Sequence, residues 1–425
     1  MALSDFIRRK VNVSKTAKKI DNTICVLPWV HLNITPNGKV LHCCATNDYN
    51  TFAGDLNKQT LEEVWNSDFM KSLRKEMING REPKFCANCY DSERVTGMSR
   101  RIYRNIDFPG KLNEIPSITK SDGSVDTMDL KFWDFRFSNL CNYKCRTCGP
   151  DSSSAWIHDA KKLGWLSEQA DVQPYNIEAV GQNTSIEFLR KYIHTVEQIN
   201  FAGGEPLIMD EHWQILDLLD EHQKYDVTLY YNSNLSVLKY KGKNILDYWS
   251  KWKQNIRLLP SIDDIGERAE LIRSGTNWMN VENNLKAVNE LGIIINPYIT
   301  VSAMNVFRIP EVIDHLIELG IINQQNNWQN FGLNMVISPP KFHVSILPDN
   351  TRKDIRRKLE KYVGDFRQKY NVDILDHFSY LFWHLDKPWH KKNCNDFIEF
   401  TKAVDKVRSE NTLEIIPELC CIMRS

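Results

Sequence analysis

Three cysteines share one short stretch, Phe137-Ser-Asn-Leu-Cys141-Asn-Tyr-Lys-Cys145-Arg-Thr-Cys148-Gly-Pro, in Cys-x3-Cys-x2-Cys spacing. Thiolates this close can act as one ligand set. Three of them can hold three irons of a [4Fe-4S] cube and leave the fourth open to another donor, whereas structural zinc needs a closed set of four. A second group lies upstream, where Cys25, Cys43 and the pair Cys86-Ala-Asn-Cys89 supply four thiolates. That closed set suits a cluster or zinc. Cys44, beside Cys43, is a spare thiol or a replacement ligand. A third stretch, Phe201-Ala-Gly203-Gly204-Glu205-Pro206-Leu207, carries two glycines that let the backbone approach a ligand, with carbonyls able to accept from an ammonium group. Its bland reading is an ordinary Gly-Gly turn.

The Cys141, Cys145, Cys148 loop after a first strand resembles the defining motif of the radical S-adenosylmethionine superfamily, and Gly203-Gly204-Glu205-Pro206 resembles that family's GGEP motif. The resemblance implies a [4Fe-4S] cluster with one open iron that chelates the amino and carboxylate groups of S-adenosylmethionine. It also implies reductive cleavage to a 5′-deoxyadenosyl radical and hydrogen abstraction from a substrate. Further cofactor contacts are then expected from later strand ends: Asn232 and Ser233, then Ser261 or Asp263 at the ribose, with Arg268 or Arg273 pairing a carboxylate. Thr147 precedes the third cysteine where many members carry an aromatic, so Tyr143 is the ring expected at the adenine. Each of these side chains alone is more often a cap or a solvated charge.

The upstream cysteines, with Gly38 between Cys25 and Cys43 and with Leu61-Glu-Glu-Val-Trp65-Asn66-Ser67 before the later pair, resemble the Twitch form of the SPASM domain. The resemblance implies an auxiliary iron-sulfur cluster, a [4Fe-4S] centre held by Cys25, Cys43, Cys86 and Cys89. The module here precedes the barrel, where most members place it after. A full protein ligand set favours electron transfer, so dehydrogenation or oxidative crosslinking of a peptide, a protein or a small metabolite is the implied reaction, with an electron donor such as flavodoxin or ferredoxin. The rival reading is a non-enzymatic zinc-binding module that recognises protein or RNA.

These loops need elements to position them. From residue 129 onward apolar strands alternate with helical patterns, as in repeated βα units with a parallel sheet. Strands are expected at 130–137, 196–202, 227–232, 256–262, 293–301 and 331–337. Helices are expected near 151–164, 210–223, 240–252, 277–291, 309–319 and 350–370. Six units make a partial TIM-like barrel, an α/β fold. The expected organisation is a basic arm over 1–20, a cysteine module over 21–100 with a helix over 61–79, a linker over 101–128, the barrel over 129–345 and a helical, aromatic-rich extension over 346–425. Phe378, Tyr380, Phe382 and Trp383 there either close the barrel mouth or form plain core.

Across 425 residues, Lys plus Arg equals Asp plus Glu at 54 each, so no net field draws the chain to nucleic acid or an anionic membrane. Apolar runs are too short to span a bilayer. Eight of the eleven cysteines precede residue 149, and a cytoplasmic chain uses such clusters for metal ligation rather than disulfides.

Overall fold

The alternation of apolar strands and helices is carried into a computed structural model that describes residues 23–169, 187–326, 328 and 330–423. The basic arm expected at 1–20 lies outside the described residues. The described residues divide into two units, one of residues 23–139 with 187–231, the other of residues 140–169 with 232–423.

In the first unit β1 (His31–Ile34), β2 (Lys39–Leu41), β3 (Gly54–Asp55), β4 (Phe132–Phe135), β5 (Gln198–Phe201) and β6 (Thr228–Ser233) run in the order β6-β5-β4-β1-β2-β3. The pairs β6-β5, β5-β4 and β4-β1 are parallel, and β1-β2-β3 is antiparallel. Register sets the two faces. His31, Phe132, Gln198 and Thr228 stand side by side, so Leu32, Ile34, Trp133, Phe135, Ile199, Phe201, Leu229 and Tyr231 form one face, all buried. The opposite face bears His31, Asn33, Phe132, Asp134, Gln198, Asn200, Thr228 and Tyr230, more polar than the both-sided apolar cover usual for parallel sheets. The cysteine module is no detached domain, because its β1 is a central strand of this sheet.

Two local expectations change. The helix over 61–79 is two, Leu61–Trp65 and Asp68–Ile78, since Ser67 caps the second and Asn66 turns away, donating to Val125 O at 2.8 Å and accepting from Val125 N at 3.1 Å. The stretch expected as a linker holds helices Arg100–Asp107 and Pro109–Ile118. Pro109 opens the second of these, where a missing N–H costs nothing.

The second unit carries the hairpin β7 (Lys239–Tyr240) and β8 (Lys243–Asn244), the parallel pair β9 (Ile256–Pro260) and β10 (Ile294–Ile295), and β11 (Tyr298–Val301) beside β12 (Gly332–Met335) in a separate parallel sheet. The single strand expected over 293–301 is thus split. Asn296 N still bonds Leu258 O at 2.7 Å, but Pro297 cannot donate, and its carbonyl accepts from Gly332 N at 3.0 Å, turning β11 toward β12. β11 and β12 thus form a parallel sheet of their own instead of continuing from β9 and β10. Helices Asp349–Tyr370, Leu375–Leu385 and Lys391–Arg408 follow. Phe378 and Phe382 are core there, while Trp383 is 44% exposed. His343 Nε2 and His384 Nδ1 stand 2.7 Å apart in the same buried layer. Among the described residues, no helix is long and apolar enough to cross a membrane.

Candidate metal centres

Cys141, Cys145 and Cys148 lie in the second unit on a loop that the chain pins at almost every residue. Lys144 N and Arg146 N donate to Ser274 O and Ile272 O, each at 2.8 Å, and Cys148 N closes a turn on Cys145 O at 3.0 Å. Trp156 Nε1 donates to Cys145 O at 2.8 Å, and Cys141 N donates to Ser154 Oγ at 3.2 Å. Asn142 donates to Ser236 Oγ at 2.8 Å and accepts from Asn234 Nδ2 at 3.0 Å. Gly275, at φ +106, lets the chain pass Asn142 O, which an added Cβ would meet at 2.9 Å.

The surroundings favour thiolate at Cys145. The Cys148 thiol donates to the Cys145 sulfur and holds the Cys145 pKa below the ordinary thiol value, helped by Arg273, while Cys148, the donor, is pushed up. Arg273 Nη1 lies 3.8 Å from Cys145 Sγ, and its guanidinium is fixed by Asp263, with Nη2 to Oδ1 at 3.1 Å and Nε to Oδ2 at 2.9 Å. Of the two arginines expected near a cofactor carboxylate, Arg273 stands at the cysteines. Arg268 is instead clamped by Glu418 at 2.8 and 2.9 Å. Asp263 is occupied by Arg273 and by Thr300 N at 3.3 Å. Ser261 N bonds Ser233 O at 2.8 Å, the Ser233 hydroxyl accepts from Leu235 N at 3.0 Å, and Asn232 is exposed. Tyr143 is buried against Gly275, which makes its ring part of the loop's packing rather than a free stacking surface.

Sequence reasoning missed Arg146. It sits between two of the cysteines, fully buried, and pairs with both Asp405 (2.5 Å) and Glu410. Nearby, Asp159 receives Lys144 at 2.9 Å and Arg408 at 2.7 Å. The end of the Lys391–Arg408 helix is thereby keyed to the loop.

In the first unit the Gly203-Gly204 turn follows β5. Gly204 N donates to Ser138 O at 3.1 Å, and Gly203, at φ +125, has no room for a Cβ, which would meet that same carbonyl at 2.9 Å. Glu205 is buried and accepts from Leu207 N at 3.1 Å, with Pro206 opening the short turn that follows.

The upstream cysteines converge in the same unit. Cys25, Cys43, Cys86 and Cys89 line one cavity with His42, Arg100 and Arg101, whereas Cys44 is outside its lining. Burial pushes Cys25 up to about 12 and Cys86 higher, so these sulfurs become thiolates only against positive charge. Main-chain donors already face sulfur: Ala45 N lies 3.3 Å from Cys43 Sγ, and the Leu27 and Arg101 amides serve Cys25 and Cys89. His42 Nε2 is 3.6 Å from Cys86 Sγ. Among the described residues no three His, Cys, Asp or Glu side chains are placed to hold one metal ion together. A cluster asks for less, one thiolate per iron.

Residues 25–90 match the SPASM family, described as an iron-sulfur cluster-binding domain. No curated protein matches the sequence. Among solved structures, the chain is similar to anSMEcpe with bound AdoMet, at 16% identity over 57% of this chain and 60% of that one, with a TM-score of 0.39. It is also similar to Streptococcus suis SuiB bound to S-adenosylmethionine, at 17% identity over 73% and 62%, and to SuiB bound to precursor peptide SuiA, at 15% over 81% and 70%, each with a TM-score of 0.37. The chain spans about three fifths of the length of anSMEcpe.

Proposed function

We propose, from the premise that residues 25–90 are a SPASM-type iron-sulfur cluster-binding domain, that this chain is a radical S-adenosylmethionine enzyme carrying out a redox modification of a peptide, a protein or a small metabolite. The observation that carries the reading is the pinned loop of Cys141, Cys145 and Cys148, a ligand set one short of closure with Arg273 beside it. A cluster held there together with S-adenosylmethionine supplies reductive carbon-sulfur cleavage and a radical for hydrogen abstraction.

The rest of the work belongs to the chain. Cys141, Cys145 and Cys148 would ligate three irons, and the bonds from Ser274, Ile272 and Trp156 hold them without rearrangement. Arg273 offsets thiolate charge and orients with Asp263. Gly203 and Gly204 keep a backbone edge free of side chains after β5. Cys25, Cys43, Cys86 and Cys89 would hold the auxiliary cluster, with Arg100 and Arg101 lining the same cavity as counter-charges.

Anaerobic reconstitution tests the reading. The wild-type chain should bind about eight irons if both clusters are cubes, and should form 5′-deoxyadenosine from S-adenosylmethionine and dithionite. Replacing Cys141, Cys145 and Cys148 together by alanine should abolish that product and leave the N-terminal iron. Replacing Cys86 and Cys89 should do the reverse. A colourless protein carrying only zinc, or cleavage that survives the triple substitution, refutes the proposal.

A further inference from the structure

The four upstream cysteines are not served alike. Cys25, Cys43 and Cys89 each face a main-chain amide, from Leu27, Ala45 and Arg101. Cys86 faces a side chain instead: His42 Nε2 lies 3.6 Å from its sulfur, long for an oxygen acceptor but within reach for the larger sulfur atom. His42 is 3% exposed and lines the cavity that Cys86 shares with the other three cysteines. The two arginines of that lining are directed elsewhere. Arg101 is engaged by Glu93 and by the Ile24 carbonyl, each at 2.9 Å. Arg100, whose Nε is buried without a partner, acts first on Cys44 and Cys43. Among the described residues, His42 is the side chain that bonds the Cys86 sulfur.

The ring's surroundings decide which way that bond runs. In a neutral imidazole one nitrogen carries the proton and the other is bare, and the partner of the far nitrogen sets which. A histidine that ligates metal through Nε2 almost always donates its Nδ1 proton to a carbonyl, a carboxylate or water. His42 Nδ1 is buried and has no partner, so nothing holds the proton there. The proton then belongs on Nε2, where a thiolate can accept it. A ring placed this way is a donor to a ligand of iron and not itself a ligand. Phe69 and Phe85 flank it, with ring centroids 5.7 and 6.3 Å away, and in so apolar a setting the bond is stronger than in water.

We infer that His42 is a positioning residue of the auxiliary centre, its Nε2–H bonding the Cys86 thiolate and raising the reduction potential of the cluster above its value without that bond. The inference rests on the iron-sulfur reading of Cys25, Cys43, Cys86 and Cys89 above and deepens it by naming the residue that tunes the centre. A sulfur whose charge is shared with a donor gives less of it to iron, and the reduced cluster, richer in negative charge, gains more from the bond than the oxidised one. His42 is also the donor that a substitution can remove, since the other three sulfurs are served by backbone.

Redox titration of the anaerobically reconstituted full chain, followed by electron paramagnetic resonance, tests this. Added S-adenosylmethionine perturbs the signal of a cluster with an open iron, so the signal it leaves alone is the auxiliary one. His42→Phe keeps a flat ring between Phe69 and Phe85 but removes the N–H. It should lower the auxiliary midpoint by about 59 mV, a roughly tenfold shift in a one-electron equilibrium, with iron and sulfide as in the wild type. His42→Gln, which retains an N–H donor, should recover part of the shift. In wild-type protein whose histidines carry heavy nitrogen, pulsed electron paramagnetic resonance should find a weakly coupled histidine nitrogen at that cluster. An unmoved midpoint in iron-loaded His42→Phe overturns the inference and leaves the cluster reading standing. Loss of iron from that variant with unchanged far-UV circular dichroism also overturns it, as does a strongly coupled nitrogen, because both make His42 a ligand. Absence of any coupled histidine nitrogen in the wild type overturns it even where the variants fail to fold. Zinc alone in the wild-type chain removes the cluster reading and this inference together.

Discussion

At the scale of single residues, Arg146 shows how the Cys141–Cys148 loop is held by ion pairs remote in sequence. Its guanidinium is fully buried, while its partners Asp405 and Glu410 have side chains 16% and 23% exposed. Removing one member of a buried pair costs about 3–5 kcal/mol, and the partial exposure of these carboxylates lowers that figure. Arg146→Met should therefore destabilise the chain by about 2 kcal/mol, read as a lower urea midpoint, with Arg146→Lys recovering part of the loss. The cysteines were legible because covalent spacing alone places three sulfurs on one loop. Arg146 was not, since its carboxylates come 259 and 264 residues later and its own neighbourhood in sequence offers no partner. The same holds for Arg268 and Arg273. Both follow the same strand, and only tertiary packing sends one to Glu418 and the other to Cys145.

At the scale of elements, the βα alternation after residue 129 translated into strands within a few residues of expectation, as β4, β5 and β6 show. Periodicity reports burial, and these strands are buried on one face or both. Breakers were less informative. Pro109 and Gly110 read as linker, yet proline at the first position of a helix loses no bond. The split of the 61–79 helix rests on side-chain capping, which competes with periodicity over a few residues. Thr60 caps Leu61–Trp65 in a reciprocal box, its Oγ1 accepting from Glu63 N at 3.2 Å while Glu63 Oε2 accepts from Thr60 N at 2.8 Å. Thr60→Ala should cost about 1 kcal/mol, measured as a shift in the thermal midpoint. Cluster content should be unchanged, because none of the ligands lies on that helix.

At the scale of the whole molecule, acid is the condition to which the second unit's core is most exposed. Burial and the charge of Lys387 hold His343 near pKa 4 and His384 near 3, against an ordinary value of 6.5. Between those limits the unfolded chain binds protons that the folded chain refuses. Stability should fall as pH drops from about 6.5, by up to about 1.4 kcal/mol per unit for each ring. Urea midpoints at pH 7.5 and 5.0 check the direction, and a His343→Gln, His384→Gln double variant should flatten the difference. The ties between Arg146 and Asp405 and between Asp159 and Arg408 have a temporal meaning too. A chain still emerging from the ribosome has made its three sulfurs long before it has made the helix that steadies them. The iron site proposed at Cys141, Cys145 and Cys148 would thus wait for the segment that carries Asp405 and Arg408, and a chain that stops short of Asp405 should present a loop that takes up metal loosely and loses it again.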